Sequence, residues 1–120
     1  MDASVVSTYE YILFSETIEH IINPGAFLKR LAELMDNSQK LIVSTPNAHF
    51  WRNTVNGLMG FENNHPDHVL HFTPYTMGKM LAQCGFSRVE AKTAHLPRRS
   101  GAGLKQNIRL KIEKRYPLIS

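Results

Sequence analysis

The sequence predicts an α/β domain built around a βαβ unit with parallel strands, and three observations carry that expectation. Tyr9 to Phe14 (YEYILF) is short, apolar and rich in aromatic and β-branched residues, which reads as a buried strand. Asn23-Pro24-Gly25 opens a stretch whose apolar residues recur with helical period. Lys40 to Ser44 (KLIVS) is a second apolar strand. A strand, a crossover helix and another apolar strand pack as a right-handed unit with parallel strands.

The elements follow in order. Asn23 is a suitable N-cap and Pro24 suits the first helical position, because proline lacks the N–H that would be unsatisfied there. Ala26, Phe27, Leu28, Leu31, Leu34 and Met35 form the apolar stripe of this helix, with Lys29, Arg30 and Glu33 toward water. Asp36-Asn37-Ser38 stops it, and Thr45-Pro46-Asn47 breaks the strand that follows. Ala48 to Leu58 reads as a second helix carrying Phe50, Trp51, Val55 and Leu58, and it ends near Gly60. Residues 61–73 are polar and irregular and hold His65-Pro66-Asp67-His68 and His71. Thr73 then caps a helix with Pro74 in its first position and Gly85 as its stop. Phe86 to Ala94 and residues 106–114 are the last two strands, and a long loop between them lets them pair as an antiparallel hairpin.

With 120 residues, the chain is limited to one small domain, 1–120. Its 42% hydrophobic and 20% charged content is that of a soluble globular protein. No apolar run approaches the roughly 20 residues of a membrane span. The opening Met1-Asp-Ala-Ser-Val-Val-Ser lacks the basic region and apolar core of a signal peptide. The single cysteine, Cys84, excludes an internal disulfide, which suits a reducing cytoplasm, and reads as a small buried residue at a helix end.

The net charge of +4 is unevenly spread. The last 24 residues carry Arg98, Arg99, Lys105, Arg109, Lys111, Lys114 and Arg115 against Glu113 alone. Such a segment suits nucleic acid or an anionic membrane. The alternation of Ile108, Leu110 and Ile112 with Arg109, Lys111 and Glu113 equally fits the outer face of a half-buried strand, and that reading is favoured.

The chemistry concentrates in Phe14-Ser-Glu-Thr-Ile-Glu-His20, directly after the first strand. Glu16, Glu19 and His20 stand at i, i+3 and i+4, which share a face if the segment is helical. An open α/β sheet builds its ligand site where its parallel strands end. The alternative is a solvated first turn of a helix. His65, His68 and His71 belong to a polar loop in which Pro66 opposes the regular helix that would align them as zinc ligands.

Taken in order, YEYILFSETIEHI, NPGAFLKRLAELMDNSQKLIVSTPN and HPDHVLHFTPYTMGKMLAQCGF resemble the second half of a class I S-adenosylmethionine-dependent methyltransferase, over about residues 9–95. The resemblance is strongest to the subgroup of ubiquinone-pathway O-methyltransferases and small-RNA 2′-O-methyltransferases. It implies an α/β fold with a partial Rossmann-like sheet, strands four to seven with flanking helices, and with strands one to three missing. Residues 96–120 then form a basic loop and the last strand. In that subgroup the E-x-x-E-H turn lies beside the methyl-transfer centre, so the resemblance implies Glu16 and His20 as catalytic residues. Phe14, Ser15 and Glu16 would face the cofactor, S-adenosylmethionine. Glu16, Glu19, His20 and the His68 of Asp67-His68 would hold magnesium or a similar divalent cation.

The family binds its cofactor mainly through a glycine-rich turn after strand one and an acid ending strand two, and this chain carries neither. Gly101 and Gly103 follow no strand that opens into a helix. Ser44-Thr-Pro-Asn47 does not match the N-P-P-Y turn of amino-methylating relatives, which makes oxygen the better acceptor. The expectation is therefore a methyltransferase portion acting on a small-molecule or nucleic-acid hydroxyl in the complete enzyme and inactive alone. Three outcomes follow for its open sheet edge: the chain is a fragment or truncated reading frame, a second chain supplies the rest, or it dimerises through that edge. The alternative is a non-catalytic module that binds a protein or nucleic acid through its basic C-terminal segment.

Overall fold

The computed structural model describes residues 3–62, 65–97 and 104–113, with side chains described for residues 4–62 and 65–94. The element order is α1 (Ala3–Val6), β1 (Tyr11–Ser15), a 3-10 turn (Ile18–His20), α2 (Pro24–Leu34), β2 (Lys40–Pro46), α3 (Trp51–Leu58), α4 (Pro74–Gln83), β3 (Arg88–Pro97) and β4 (Leu104–Glu113). The four strands form one sheet in the order β1-β2-β4-β3. β1 and β2 are parallel, with Tyr11 opposite Lys40 and Ser15 opposite Ser44. β4 runs antiparallel to both β2 and β3, so the expected terminal hairpin forms and folds back into the sheet beside β2.

Both predicted helix starts use the chemistry read from the sequence. The Asn23 carboxamide oxygen accepts from the Ala26 N–H at 3.1 Å, with Pro24 in the first helical position. Thr73 and Thr76 form a reciprocal capping box at α4, again followed by proline. α4 ends at Cys84, and Gly85 takes φ +102°, a left-handed conformation open to glycine at little cost. α3 starts at Trp51, three residues later than the sequence suggests, because the Asn47 side chain accepts from the His49 N–H and the Phe50 N–H bonds back to the Asn47 carbonyl. That turn uses up the start of the apolar period.

The core lies on one face of the sheet. Leu28, Leu31 and Ala32 of α2, with Met35 at its C-cap, meet Leu41 and Val43 of β2, Met77 and Leu81 of α4, and Ile18, Phe72 and Phe86. Each fully buried side chain of this size contributes about 1.5–3 kcal/mol relative to its exposed state. Gln39 ties the N-terminal segment to this body. Its buried amide donates to the carbonyls of Val6 and Tyr9, both at 2.6 Å, and its oxygen accepts from the Asp36 N–H.

β1 departs from the expectation of a buried strand. Ile12 and Phe14 pack toward α2, with the Phe14 ring edge-on to Phe27 at 5.2 Å. On the other face Tyr11 is 49% exposed and Leu13 64% exposed. β1 is an edge strand, so only one of its backbone edges has a strand neighbour among the described residues. α3 buries none of its residues, and Trp51, Leu58 and Met59 stand exposed. No helix among the described residues is long and apolar enough to cross a membrane. The side chains of the basic segment, from Arg98 through Arg115, lie outside the described residues, although the backbone of Lys105, Arg109 and Lys111 runs in β4.

Candidate functional site

Because β1 and β2 are parallel, both end on the same side of the sheet, and the candidate residues gather there. At the end of β1 the Ser44 hydroxyl donates to the Ser15 hydroxyl at 3.1 Å. The next residue, Glu16, extends the ladder by donating its N–H to the Ser44 carbonyl at 2.9 Å while its φ is +51°. A left-handed turn at a residue with a Cβ is uncommon. It ends the strand and redirects the chain into the 3-10 turn at Ile18. Glu16 is therefore not on one helical face with Glu19 and His20, as the spacing had suggested. Phe14, expected on the cofactor side, turns its ring toward α2, and Ser15 and Glu16 remain at the strand end.

Ile18 is fully buried and draws the turn onto the core, which carries Glu19 into the interior with only 1% exposure. A buried carboxylate needs partners. Its Oε2 accepts from the Thr45 hydroxyl at 3.0 Å. Its Oε1 has no hydrogen-bond partner, and the nearest basic nitrogen to it, His68 Nε2, lies at 3.9 Å. The backbone carbonyl of Glu19 accepts from the N–H groups of Val69 and Leu70 at 3.0 and 3.2 Å, which fastens the histidine loop to the turn.

His20 Nδ1 lies 2.9 Å from the Asp67 carbonyl oxygen. A carbonyl only accepts, so Nδ1 carries the proton and, in the neutral ring, Nε2 presents a lone pair. The His68 ring sits 4.8 Å from that of His20 and 5.1 Å from that of His65. Burial holds the His68 pKa below the ordinary histidine value, opposed by the attraction of Glu19 and reinforced by the neighbouring histidines.

Among the described residues, the ligand atoms of Glu19, His20 and His68 lie within 4.8 Å of one another. The carboxyl of Glu16 is not one of that group. The orphaned, buried Glu19 Oε1 beside two imidazoles makes this donor set fit a divalent cation. Thr45 was legible only as part of a strand break, yet its hydroxyl anchors the buried acid. A cleft of about 480 Å³ is lined by Asn53, Gly57, Gly60, Phe61, Glu62 and His71, and the His71 ring lies 6.4 Å from that of His68.

The parallel pair β1 and β2, with a polar cluster at their C-terminal ends, is the arrangement of an open α/β sheet. Residues 3–91 match the model of a methyltransferase-domain family, and the chain belongs to that family. Its fold is that of class I S-adenosylmethionine-dependent methyltransferases. A methyltransferase from Thermotoga maritima superposes with a TM-score of 0.68 at 13% identity, covering 88% of this chain and 56% of the other. Magnesium protoporphyrin IX methyltransferase from Synechocystis, solved with bound S-adenosylhomocysteine, gives 0.58 at 18% identity over 88% of this chain and 45% of its own. A small RNA methyltransferase gives 0.66 at 20% identity over 95% of this chain and 15% of its own. The chain spans little more than half, or less, of the length of these neighbours. A comparison with curated proteins gives no match.

Proposed function

We propose that this chain forms the C-terminal portion of an S-adenosylmethionine-dependent methyltransferase that methylates a hydroxyl oxygen, on a small molecule or a nucleic acid. The observation that carries the proposal is the buried Glu19 carboxylate, one oxygen unpaired, facing His68 and His20 at the C-terminal ends of two parallel strands. S-adenosylmethionine, when bound, supplies a methyl group on an electrophilic sulfonium. Ser15, at the end of β1, and Glu16 after it would face it.

The residues of this chain act on the acceptor. His20 Nε2 has a lone pair set by the Asp67 carbonyl, so it accepts a hydroxyl proton or ligates a cation, and the two uses exclude each other. Glu19 Oε1, His20 and His68 would hold a divalent cation, which when bound lowers the pKa of an acceptor hydroxyl. The unpaired Glu19 oxygen favours ligation. The cleft beside His71 suits the acceptor's approach. The exposed outer edge of β1 suits a further strand, supplied by the remainder of the domain, a second chain or a second copy, completing the cofactor pocket.

Transfer of labelled methyl from S-adenosylmethionine to hydroxyl acceptors, measured on the protein from its native source, tests the reading. Glu19→Gln and His20→Gln should each cut transfer by at least about 100-fold. Retained transfer in both variants overturns the site. The chain alone should show no saturable binding of S-adenosylmethionine, and micromolar affinity would refute its incompleteness.

A further inference from the structure

We propose that the cleft lined by α3 and His71 is a specificity pocket for the methyl acceptor, in which Gly57 sets the depth and Asn53 the polar contact. The acceptor it takes is a flat ring bearing an O–H or N–H donor. This rests on the methyl-transfer reading above and goes beyond it by naming the chemistry of the acceptor's body. The cleft encloses about 480 Å³, within the range of small-molecule sites. His71 is on its wall, with its ring 6.4 Å from that of His68, which links the cleft to the histidines of the site.

Neither the local turn nor packing requires glycine at Gly57. α3 closes in a Schellman turn, in which the Phe61 N–H donates to the Asn56 carbonyl at 2.8 Å and the Gly60 N–H to that of Gly57 at 3.1 Å. That turn needs glycine at Gly60, where φ is +76°. Gly57 lies inside the helix, where glycine costs stability relative to alanine. A Cβ placed on Gly57 would meet no atom within 4 Å, whereas one on Gly78 in α4 would lie 3.9 Å from Val89. Gly57 lines the cleft, so its missing side chain leaves room for a ligand against the helix backbone.

Asn53 stands one turn earlier on the same face of α3. Its Nδ2 donates to the carbonyls of Asn47 and Ala48 at 3.3 and 3.2 Å, which engages both amide protons and fixes the orientation of the group. Its Oδ1 accepts from no described residue and belongs to a side chain that lines the cleft. A ligand without a donor would strip water from that oxygen and return nothing. Phe61, 65% exposed, adds an aromatic ring to the same wall, and such rings favour flat, stacked or edge-on partners.

Titration of the isotope-labelled chain with phenol, anisole and adenosine, each alone, tests this through the amide resonances of Gly57, Gly60 and Asn53. Saturable shifts with phenol, with adenosine or with both support the pocket, and the tighter of the two identifies the acceptor as a free phenol or a nucleoside. Anisole, which has the ring and no donor, should bind at least about fivefold more weakly than phenol. Gly57→Leu should weaken the tighter ligand at least about tenfold while raising the melting temperature, because leucine favours a helix that glycine disfavours. Gly57→Met repeats the test if Gly57→Leu fails to fold. Equal binding of phenol and anisole overturns the role of Asn53, and unchanged affinity in the folded Gly57 variant overturns that of Gly57. No saturable shift with either phenol or adenosine overturns the pocket and leaves the methyl-transfer reading to the labelled-transfer assay.

Discussion

The Thr45 hydroxyl on β2 donates to Glu19 Oε2 at 3.0 Å, joining the end of one parallel strand to the turn that follows the other. It is the side-chain hydrogen bond that satisfies half of a carboxylate with 1% exposure.

Replacing that hydroxyl with a methyl should therefore be costly. Thr45→Val keeps the shape and leaves the buried acid with one donor fewer, which should cost about 1–3 kcal/mol in chemical denaturation. Thr45→Ser keeps the donor and should lose less than about 1 kcal/mol. Equal stability of the parent and the valine variant would show that the bond carries no weight.

Glu16 presents the opposite case, a side chain retained on a backbone that disfavours it. Its φ of +51° is readily adopted by glycine. Glu16→Gly should leave thermal stability unchanged or raise it by up to about 1 kcal/mol, while any role of the carboxylate toward the cofactor is lost. A clear fall in melting temperature would mean that the Glu16 side chain supports the fold.

The sheet's exposed edge predicts an asymmetry between two leucines. Leu41 in β2 is fully buried, and Leu41→Ala should cost about 2–5 kcal/mol by equilibrium unfolding. Leu13 in β1 is 64% exposed, and Leu13→Ala should cost under about 1 kcal/mol in this chain. If a further strand covers β1 in the complete protein, the Leu13 cost should rise there toward that of Leu41.

Cys84 gives a prediction in pH. Burial pushes its thiol above the ordinary cysteine range, against a weaker opposing pull from Lys29, and its Sγ donates to the Gly25 carbonyl at 3.4 Å. Alkylation at neutral pH should run at least about tenfold slower than in a short peptide, with the rate rising only in more alkaline solution. A pKa raised by folding favours the native state below the unfolded thiol's pKa. That stability is lost as pH rises through the native value. A peptide-like rate at neutral pH would contradict the burial.

Much of the frame was legible because it depends on neighbours in sequence. Asn23 with Pro24 and Thr73 with Pro74 announce helix starts through hydrogen bonds that span three residues. Tyr9 to Phe14 and Lys40 to Ser44 announce strands through composition alone, and the connecting helix dictates that they run parallel. The site was legible only in part. Glu19, His20 and His68 were all candidates, but a helical turn over Glu16 to His20 would have presented Glu16 beside them. The 3-10 turn arises because Ile18 seeks the core, and no local pattern separates that outcome from a regular helix.

The sequence by itself determined the order of elements, their caps and the residue types that meet at the strand ends, since propensity and periodicity act over a few residues. Only the tertiary structure decided that Glu19 is buried, that Thr45 is its partner and that Glu16 stands aside. Those outcomes depend on the register of two parallel strands and on a loop 47 residues further along, where Asp67 meets His20. Contacts over such separations are set by packing, and no short stretch of chain encodes them alone.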